Sequence, residues 1–124
     1  MPFTVNEEYR AAVFEIKGRF LGSIDGADFK SQLADLLESG KNQLVVDLSK
    51  TDFMDSSGIG VLIGGLTSTR RSGGDMRLAG MNKRIKNLFL ITKLLGSVFD
   101  DYETVRNAVE SFVQNPPSGD VGEA

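Results

Sequence analysis

The sequence predicts a single α/β domain with a mixed sheet of about five strands, in the order ββαβαβαβα. The 124 residues are enough for one hydrophobic core. Short apolar runs alternate along most of the chain with segments whose apolar residues recur at helical spacing, which is typical of parallel strands joined by helices. Only residues 8–11 separate the first two apolar runs, so these runs are predicted to form an antiparallel hairpin at an edge of the sheet.

The N-terminal part of the chain contains the hairpin, a helix and the most apolar strand. Residues 3–7 and 12–17 alternate apolar and polar side chains, as a strand with one exposed face does. Residues 18–26 contain three glycines and are expected to form a loop. The next helix, which ends at Gly40, has an apolar face of four residues: Phe29, Leu33, Leu36 and Leu37. Residues 43–48 are rich in β-branched side chains and predict a buried strand.

The C-terminal part continues the alternation of strands and helices. A second helix, after residue 55, ends at residues 72–74 and is followed by a short strand over residues 75–80. Asn82 is a suitable cap for a third helix, which is predicted to end near Lys93.

The last elements are a short strand over residues 97–100 and an amphipathic helix that begins near Asp101. Residues 115–124 are polar and have no periodicity, so they predict a disordered tail. The folded domain is therefore expected to span residues 1–114.

The composition excludes several classes of function. The chain has neither cysteine nor histidine, so disulfides, thiolate metal sites and the usual general base are absent. The net charge of −3 argues against a nucleic-acid partner. No apolar run approaches the roughly 20 residues of a membrane span, and the N-terminus has no signal-peptide pattern. We therefore expect a cytoplasmic protein that binds no membrane, metal or cofactor and is not an enzyme.

A short polar segment between the buried strand and the second helix contains the most informative residues. Asp55, Ser56, Ser57 and Gly58 stand at the predicted helix N-terminus, where free amides and the helix dipole favour negative charge. A phosphate-binding loop is not indicated, because the glycine-rich pattern is missing and Asp52 and Asp55 would repel an anion. A hydrolase is not indicated either, because no histidine could activate a serine. From the residues alone, the serines either cap the helix or carry a covalent phosphate.

The sequence of residues 52–62 resembles the signature of a known family. It reads Asp-Phe-Met-Asp-Ser-Ser-Gly-Ile-Gly-Val-Leu, which is similar to the motif of bacterial anti-sigma factor antagonists, members of the STAS domain family (named for sulphate transporters and anti-sigma antagonists). The resemblance extends more loosely over residues 3–113. It implies that Ser57 is phosphorylated by an anti-sigma factor that is also a serine kinase. It also implies that a metal-dependent serine phosphatase restores the free serine, and that the unmodified protein binds the kinase and frees the sigma factor.

The same resemblance suggests which residues face the partner: Asp55, Ser56, Gly58, Gly60 and Asp25. Many members of the family carry an acidic residue soon after the second strand, in a Gly-x-Leu-Asp pattern. Here Leu21 stands at that place and Asp25 follows four residues later as a possible substitute.

Several local roles around the motif are predicted from residue type. Asp55 is expected to cap the helix or position a hydroxyl. Gly58 and Gly60 allow close approach of either the kinase or a neighbouring strand, and Phe53 and Met54 are expected in the core. The alternative function is a STAS scaffold or nucleotide-responsive regulator whose serines are not modified.

Overall fold

A computed structural model describes residues 3–8, 11–95 and 98–116 of the chain. Within these ranges the elements follow one another in the predicted order: β1 (Phe3–Glu8), β2 (Ala11–Phe20), α1 (Gly22–Glu38), β3 (Gln43–Met54), α2 (Ser56–Arg71), β4 (Asp75–Ala79), α3 (Lys83–Ile91), β5 (Asp101–Tyr102) and α4 (Val105–Gln114). The predicted α/β class and the mixed five-stranded sheet are confirmed. None of the described helices is long and apolar enough to cross a membrane.

The strands lie side by side in chain order, with β3 at the centre of the sheet. β1 pairs antiparallel with β2, which confirms the predicted hairpin, and all later pairs are parallel. The larger hydrophobic core contains side chains of α1, α2 and α3, whereas α4 packs with a second, smaller core. Leu44 and Val46 of β3 belong to the first core and Val45 to the second. The continuous apolar run of this strand therefore follows from burial on both faces of the sheet.

The predicted loop over residues 18–26 is wrong. β2 continues to Phe20, which is fully buried, and α1 begins at Gly22. Gly22 and Gly26 permit close packing and do not form a loop: a Cβ atom at Gly26 would lie 2.9 Å from a methyl group of Val61 on α2. Helix α1 can therefore approach α2 closely because Gly22 and Gly26 have no side chain at the contact.

Strand β3 extends to Met54, six residues beyond the predicted end at residue 48. It runs parallel to the full length of β2, and the pairing shifts register twice on the way. The Thr51 hydroxyl donates a hydrogen bond of 2.8 Å to the Ile16 carbonyl in the buried interior. Backbone pairing and this hydrogen bond stabilise a polar segment that has no strand-like alternation.

The strand predicted over residues 97–100 is also wrong, although residue 97 lies outside the described ranges. The last strand is β5, whose residues pair with Leu78 and Ala79 of β4. Phe99 is buried in the first core against Phe89, with a ring-centroid distance of 5.8 Å. Helix α4 begins at Val105 and not near residue 101, because the Thr104 side chain accepts the Asn107 amide as its cap.

A buried arginine joins the C-terminal helix to the sheet. Arg77 forms an ion pair with Asp75 at 3.0 Å and donates to the Ser111 hydroxyl at 2.8 Å. It also donates to the Asn115 carbonyl at 2.7 Å, so the first residue of the predicted tail contacts the domain. Residues 117–124 lie outside the described ranges, and their disorder stays a prediction.

Candidate functional site

The serine loop, defined as residues 55–58, lies at the carboxyl end of the central strand β3. Ligand and partner sites of open α/β sheets are generally found at this edge. Helix α2 begins at Ser56, and Asp55 has the extended backbone of an N-cap residue. The predicted sequence of buried strand, short connection and helix is confirmed here.

Asp55 caps the starts of two helices at once. One oxygen of its carboxylate accepts the Gly58 amide of α2 at 2.6 Å and the Gly22 amide of α1 at 3.1 Å. The hydrogen bond from Gly22, followed by that from Gly58, lowers the pKa of the Asp55 carboxyl from its ordinary value of 3.8. Asp55 is therefore ionised at neutral pH and acts as a structural acceptor, which makes it unsuited to general-base catalysis.

The hydroxyls of the two serines have no hydrogen-bond partner in the part of the chain that the structure describes. Ser56 and Ser57 are the first two residues of α2, and both are exposed. Their hydroxyls do not cap the helix, because Asp55 occupies the capping position and holds the Gly58 amide. The interpretation that the serines simply cap the helix is therefore wrong.

Ser57 lies where the starts of α1 and α2 meet. A Cβ atom at Gly22 would overlap the Ser57 carbonyl carbon and would lie 2.5 Å from Ser57 Cβ. The first turn of α1 therefore rests directly on the backbone of Ser57, and only glycine fits there. Two helix N-termini, each with positive partial charge, converge beside the Ser57 side chain.

The two glycines of the motif have different surroundings. A Cβ atom at Gly58 would lie 2.7 Å from the Phe20 carbonyl, so this glycine permits close approach of strand β2. A Cβ atom at Gly60 would meet no atom within 4 Å, and Gly60 is exposed. The contact expected at Gly60 is thus open to a partner, whereas Gly58 is required by the fold.

Asp25 lies at the same edge of the sheet, in the first turn of α1. Its carboxylate accepts the Leu21 amide at 2.8 Å and so stabilises the start of its own helix. The residue is half-buried. A contact between Asp25 and a partner stays a prediction.

Two exposed apolar side chains border the serine loop, and sequence analysis missed both. Met54 is buried as predicted, but the prediction for Phe53 is wrong, because its side chain is 40% exposed. The Arg19 guanidinium lies 5.2 Å from the centroid of the Phe53 ring. Ile24, in the first turn of α1, is 69% exposed. The available signal for Ile24 was its position off the apolar face defined by Phe29 and Leu33.

A fourth element reaches this edge through Asn82. Its side-chain oxygen accepts the Ile85 amide at 2.9 Å, which confirms the predicted cap of α3. Its amide nitrogen donates to the Thr51 carbonyl at 2.9 Å. The start of α3 is therefore fixed to strand β3 four residues before Asp55. Within the described ranges, no group of three or more acidic residues could hold a metal ion.

Comparison with known proteins gives consistent results. Residues 3–111 match the STAS domain family. The anti-sigma-B factor antagonist of Bacillus subtilis is 29% identical over 93 residues, which are 73% of this chain and 84% of that protein. The crystal structure of a Thermotoga maritima protein, provisionally named an anti-sigma factor antagonist, superposes with a TM-score of 0.79 and 24% identity over 88% of this chain and 92% of that chain.

A third similar structure is that of the Bacillus cell fate determinant SpoIIAA in its phosphorylated form. It has a TM-score of 0.70 and 19% identity, and the match covers 88% of this chain and 97% of that one. At this identity the likeness concerns the fold. The family match spans nearly all of the described strands and helices together with the serine loop. The chain therefore belongs to the STAS domain family.

Proposed function

We propose that this protein is an anti-sigma factor antagonist that is switched by phosphorylation of Ser57. In its unphosphorylated form it binds an anti-sigma factor that is also a serine kinase, and the bound sigma factor is released. One observation carries the proposal: the Ser57 hydroxyl is exposed and has no structural partner among the described residues, because Asp55 already caps the helix. The hydroxyl is thus available to the kinase without loss of an internal hydrogen bond.

The relatives support the two halves of this proposal separately. The Bacillus subtilis relative is named for antagonism of an anti-sigma factor. A structural neighbour, SpoIIAA, is known in a phosphorylated form, so the STAS fold can carry a phosphate in that protein. In this chain, the motif resemblance assigns the phosphate to Ser57 and not to Ser56.

The surroundings of Ser57 favour a phosphate that leaves the domain folded. A phosphoserine carries a charge of about −1.5 to −2 at neutral pH. The starts of α1 and α2 converge at Ser57, and their dipoles stabilise an added anion. Unfolding of the domain is therefore not needed for the switch.

The effect of the phosphate falls on the docking surface. Ser57, Gly60, Ile24 and Phe53 are exposed at one edge of the sheet, and together they offer a small, partly apolar contact area. A dianion beside the ionised Asp55 would add bulk and negative charge to that area. Against an apolar or acidic surface of the kinase, this charge would be buried without a partner. The complex would be destabilised and the kinase would dissociate.

In this proposal the protein is the substrate of both the kinase and the phosphatase. The Ser57 oxygen attacks the γ-phosphorus of ATP, the bond from that phosphorus to the bridging oxygen breaks and ADP leaves, and the hydroxyl proton passes to a base on the kinase. A metal-dependent serine phosphatase later hydrolyses the phosphoester and restores the binding form. Asp55 holds the first turn of α2 in place through both events.

Incubation with the cognate kinase and MgATP, followed by mass-spectrometric site mapping, tests the proposal. We expect one phosphate, on Ser57. Ser56→Ala is the matched control and should be phosphorylated at the wild-type rate, whereas Ser57→Ala should take up no phosphate. Phosphate on Ser56 in a protein with Ser57 intact would overturn the assignment, and no phosphate on either serine would favour the scaffold alternative.

A further inference from the structure

Helix α3 has an unusual charge distribution at its start. Lys83 and Arg84 are its first two residues, both are exposed, and its first turn contains no acidic residue. Cations at a helix N-terminus are disfavoured, because the amides there carry positive partial charge.

No described carboxylate compensates for these two cations. Lys86, two positions beyond Arg84, forms an ion pair with Asp101 at 3.5 Å. Lys83 and Arg84 have no acidic side chain within 4.0 Å in the described ranges. The whole chain has a net charge of −3, yet α3 contains three cations and no acidic residue. Helix α3 is thus a locally basic element of an acidic protein.

The outer face of α3, defined as Lys83, Arg84, Asn87, Leu90 and Ile91, continues from these cations into an apolar end. Leu90 is 53% exposed and Ile91 is 77% exposed. The helix packs on the core through Ile85 and Phe89, on its opposite side. The outer face therefore contributes little to folding, and it presents positive charge at one end and apolar surface at the other.

This face begins at the edge of the sheet that carries the serine loop. Asn82 joins the start of α3 to the Thr51 carbonyl, four residues before Asp55. A partner that covers Ser57 and extends along this edge towards the start of α3 would contact Lys83 and Arg84. The charge complementary to them is negative.

We propose that the outer face of α3 is a second docking surface, which binds an acidic stretch of the anti-sigma factor kinase with apolar residues at its far end. This inference rests on the proposed function and extends it. Lys83 and Arg84 steer the acidic stretch and accelerate association, and Leu90 and Ile91 contact its apolar residues. Phosphorylation of Ser57 weakens the first surface and leaves this second one unchanged.

The test uses the full chain with the double substitution Lys83→Glu and Arg84→Glu. The matched control is Lys30→Glu with Arg106→Glu, which changes the net charge equally. Arg106 is also exposed and is the second residue of its helix, α4, on the other face of the sheet. Binding to the cognate kinase is measured by biolayer interferometry at two salt concentrations, with calorimetric melting of each variant.

We expect the α3 variant to bind about tenfold more weakly than wild type, mainly through slower association, and with less dependence on salt. The control variant should stay within about twofold of wild type at the higher salt concentration, where long-range charge effects are screened. The α3 variant should melt at the same or a higher temperature than wild type, because glutamate is favoured at a helix N-terminus. Reduced binding can then not be attributed to unfolding.

Leu90→Ser with Ile91→Ser tests the apolar end, and should raise the dissociation rate with little change in association.

Wild-type affinity in the α3 charge variant, with the Ser57 switch intact, would overturn this inference alone. Absence of kinase binding by the wild-type chain would overturn the proposed function and this inference with it. Loss of binding to a labelled oligothymidylate, but not to the kinase, would assign the cations to nucleic acid and overturn the protein partner.

Discussion

Helices α2 and α3 start at the same edge of the sheet with opposite chemistry. Helix α2 is capped by the ionised Asp55 and begins with two serines and a glycine. Helix α3 is capped by the neutral Asn82 and begins with Lys83 and Arg84. Each cap side chain accepts a hydrogen bond from the backbone amide three residues later. The two helix starts therefore share one capping geometry and differ only in the side chains that they carry.

This difference shows that two helix N-termini at the same edge of one sheet can serve separate functions. At α2 the first turn carries small hydroxyl residues beside two converging helix starts, so it can accept a negative group. At α3 the first turn carries cations that the helix dipole disfavours, so the site is suited to a negative partner from outside. The first start is proposed as the place of modification and the second as a place of attraction.

The largest expected effect concerns the packing that sets α2 apart. Gly22→Ala places a methyl group against the backbone of Ser57, where neither helix can yield easily. We expect a loss of about 3 kcal/mol in the free energy of unfolding, measured by urea denaturation. Gly64→Ala is the control, because a Cβ atom there would meet nothing within 4 Å. It should stabilise α2 by about 0.5–1 kcal/mol, and equal effects of the two substitutions would refute the close contact.

A smaller effect is expected in how the stabilising contributions of the two cap residues, Asp55 and Asn82, depend on pH. The pKa of Asp55 is lowered on folding, so its contribution to stability is fully present above the ordinary value of 3.8 and is lost as pH falls through the lower folded value. The stability difference between wild type and Asp55→Asn should therefore be largest above about pH 4 and should shrink towards pH 2. Asn82→Ala should cost about 1 kcal/mol at every pH, because Asn82 does not titrate. Parallel pH profiles of the two variants would show that Asp55 does not act through its charge.

The smallest expected effect is that of phosphorylation on the folded domain. The charge on Ser57 is placed where helix dipoles favour it, so phosphorylated and unmodified protein should differ by less than about 5 °C in melting temperature. Differential scanning calorimetry of the two forms measures this. A loss of 10 °C or more, roughly 2 kcal/mol for a domain of this size, would mean that the phosphate acts by disrupting the domain.

The parts of the fold that depend on side-chain periodicity could be predicted from the sequence. The sequence predicts strand β3 over residues 43–48, because both of its faces are buried and its side chains there are mostly apolar. Its extension to Met54 could not be predicted, since backbone pairing and the Thr51 hydroxyl stabilise it without an apolar pattern. The exposure of Phe53 could not be predicted for the same reason, because a register shift in the pairing of β2 with β3 decides which face of the sheet Phe53 occupies.

In the candidate site, too, local features could be predicted from the sequence and long-range contacts could not. The capping role of Asp55 could be predicted from residue type at a helix start, and the structure shows it. Its second hydrogen bond, to Gly22, joins residues 33 positions apart and has no local signal in the sequence. The sequence pattern predicts a loop at Gly22 and Gly26, because a pattern cannot distinguish a glycine that allows a turn from one that allows two helices to touch.

The affinity of the kinase for four forms of the protein tests the central proposal most directly. Isothermal titration calorimetry would compare unmodified wild type, Ser57-phosphorylated wild type, Ser57→Ala and Ser57→Asp, each with and without ATP. Ser57→Ala should bind as tightly as unmodified wild type and should keep that affinity in ATP. The phosphorylated form should bind at least about tenfold more weakly, a difference of 1.4 kcal/mol or more, and Ser57→Asp should fall between the two. Equal affinities of all four forms, unaffected by ATP, would contradict the switch at Ser57.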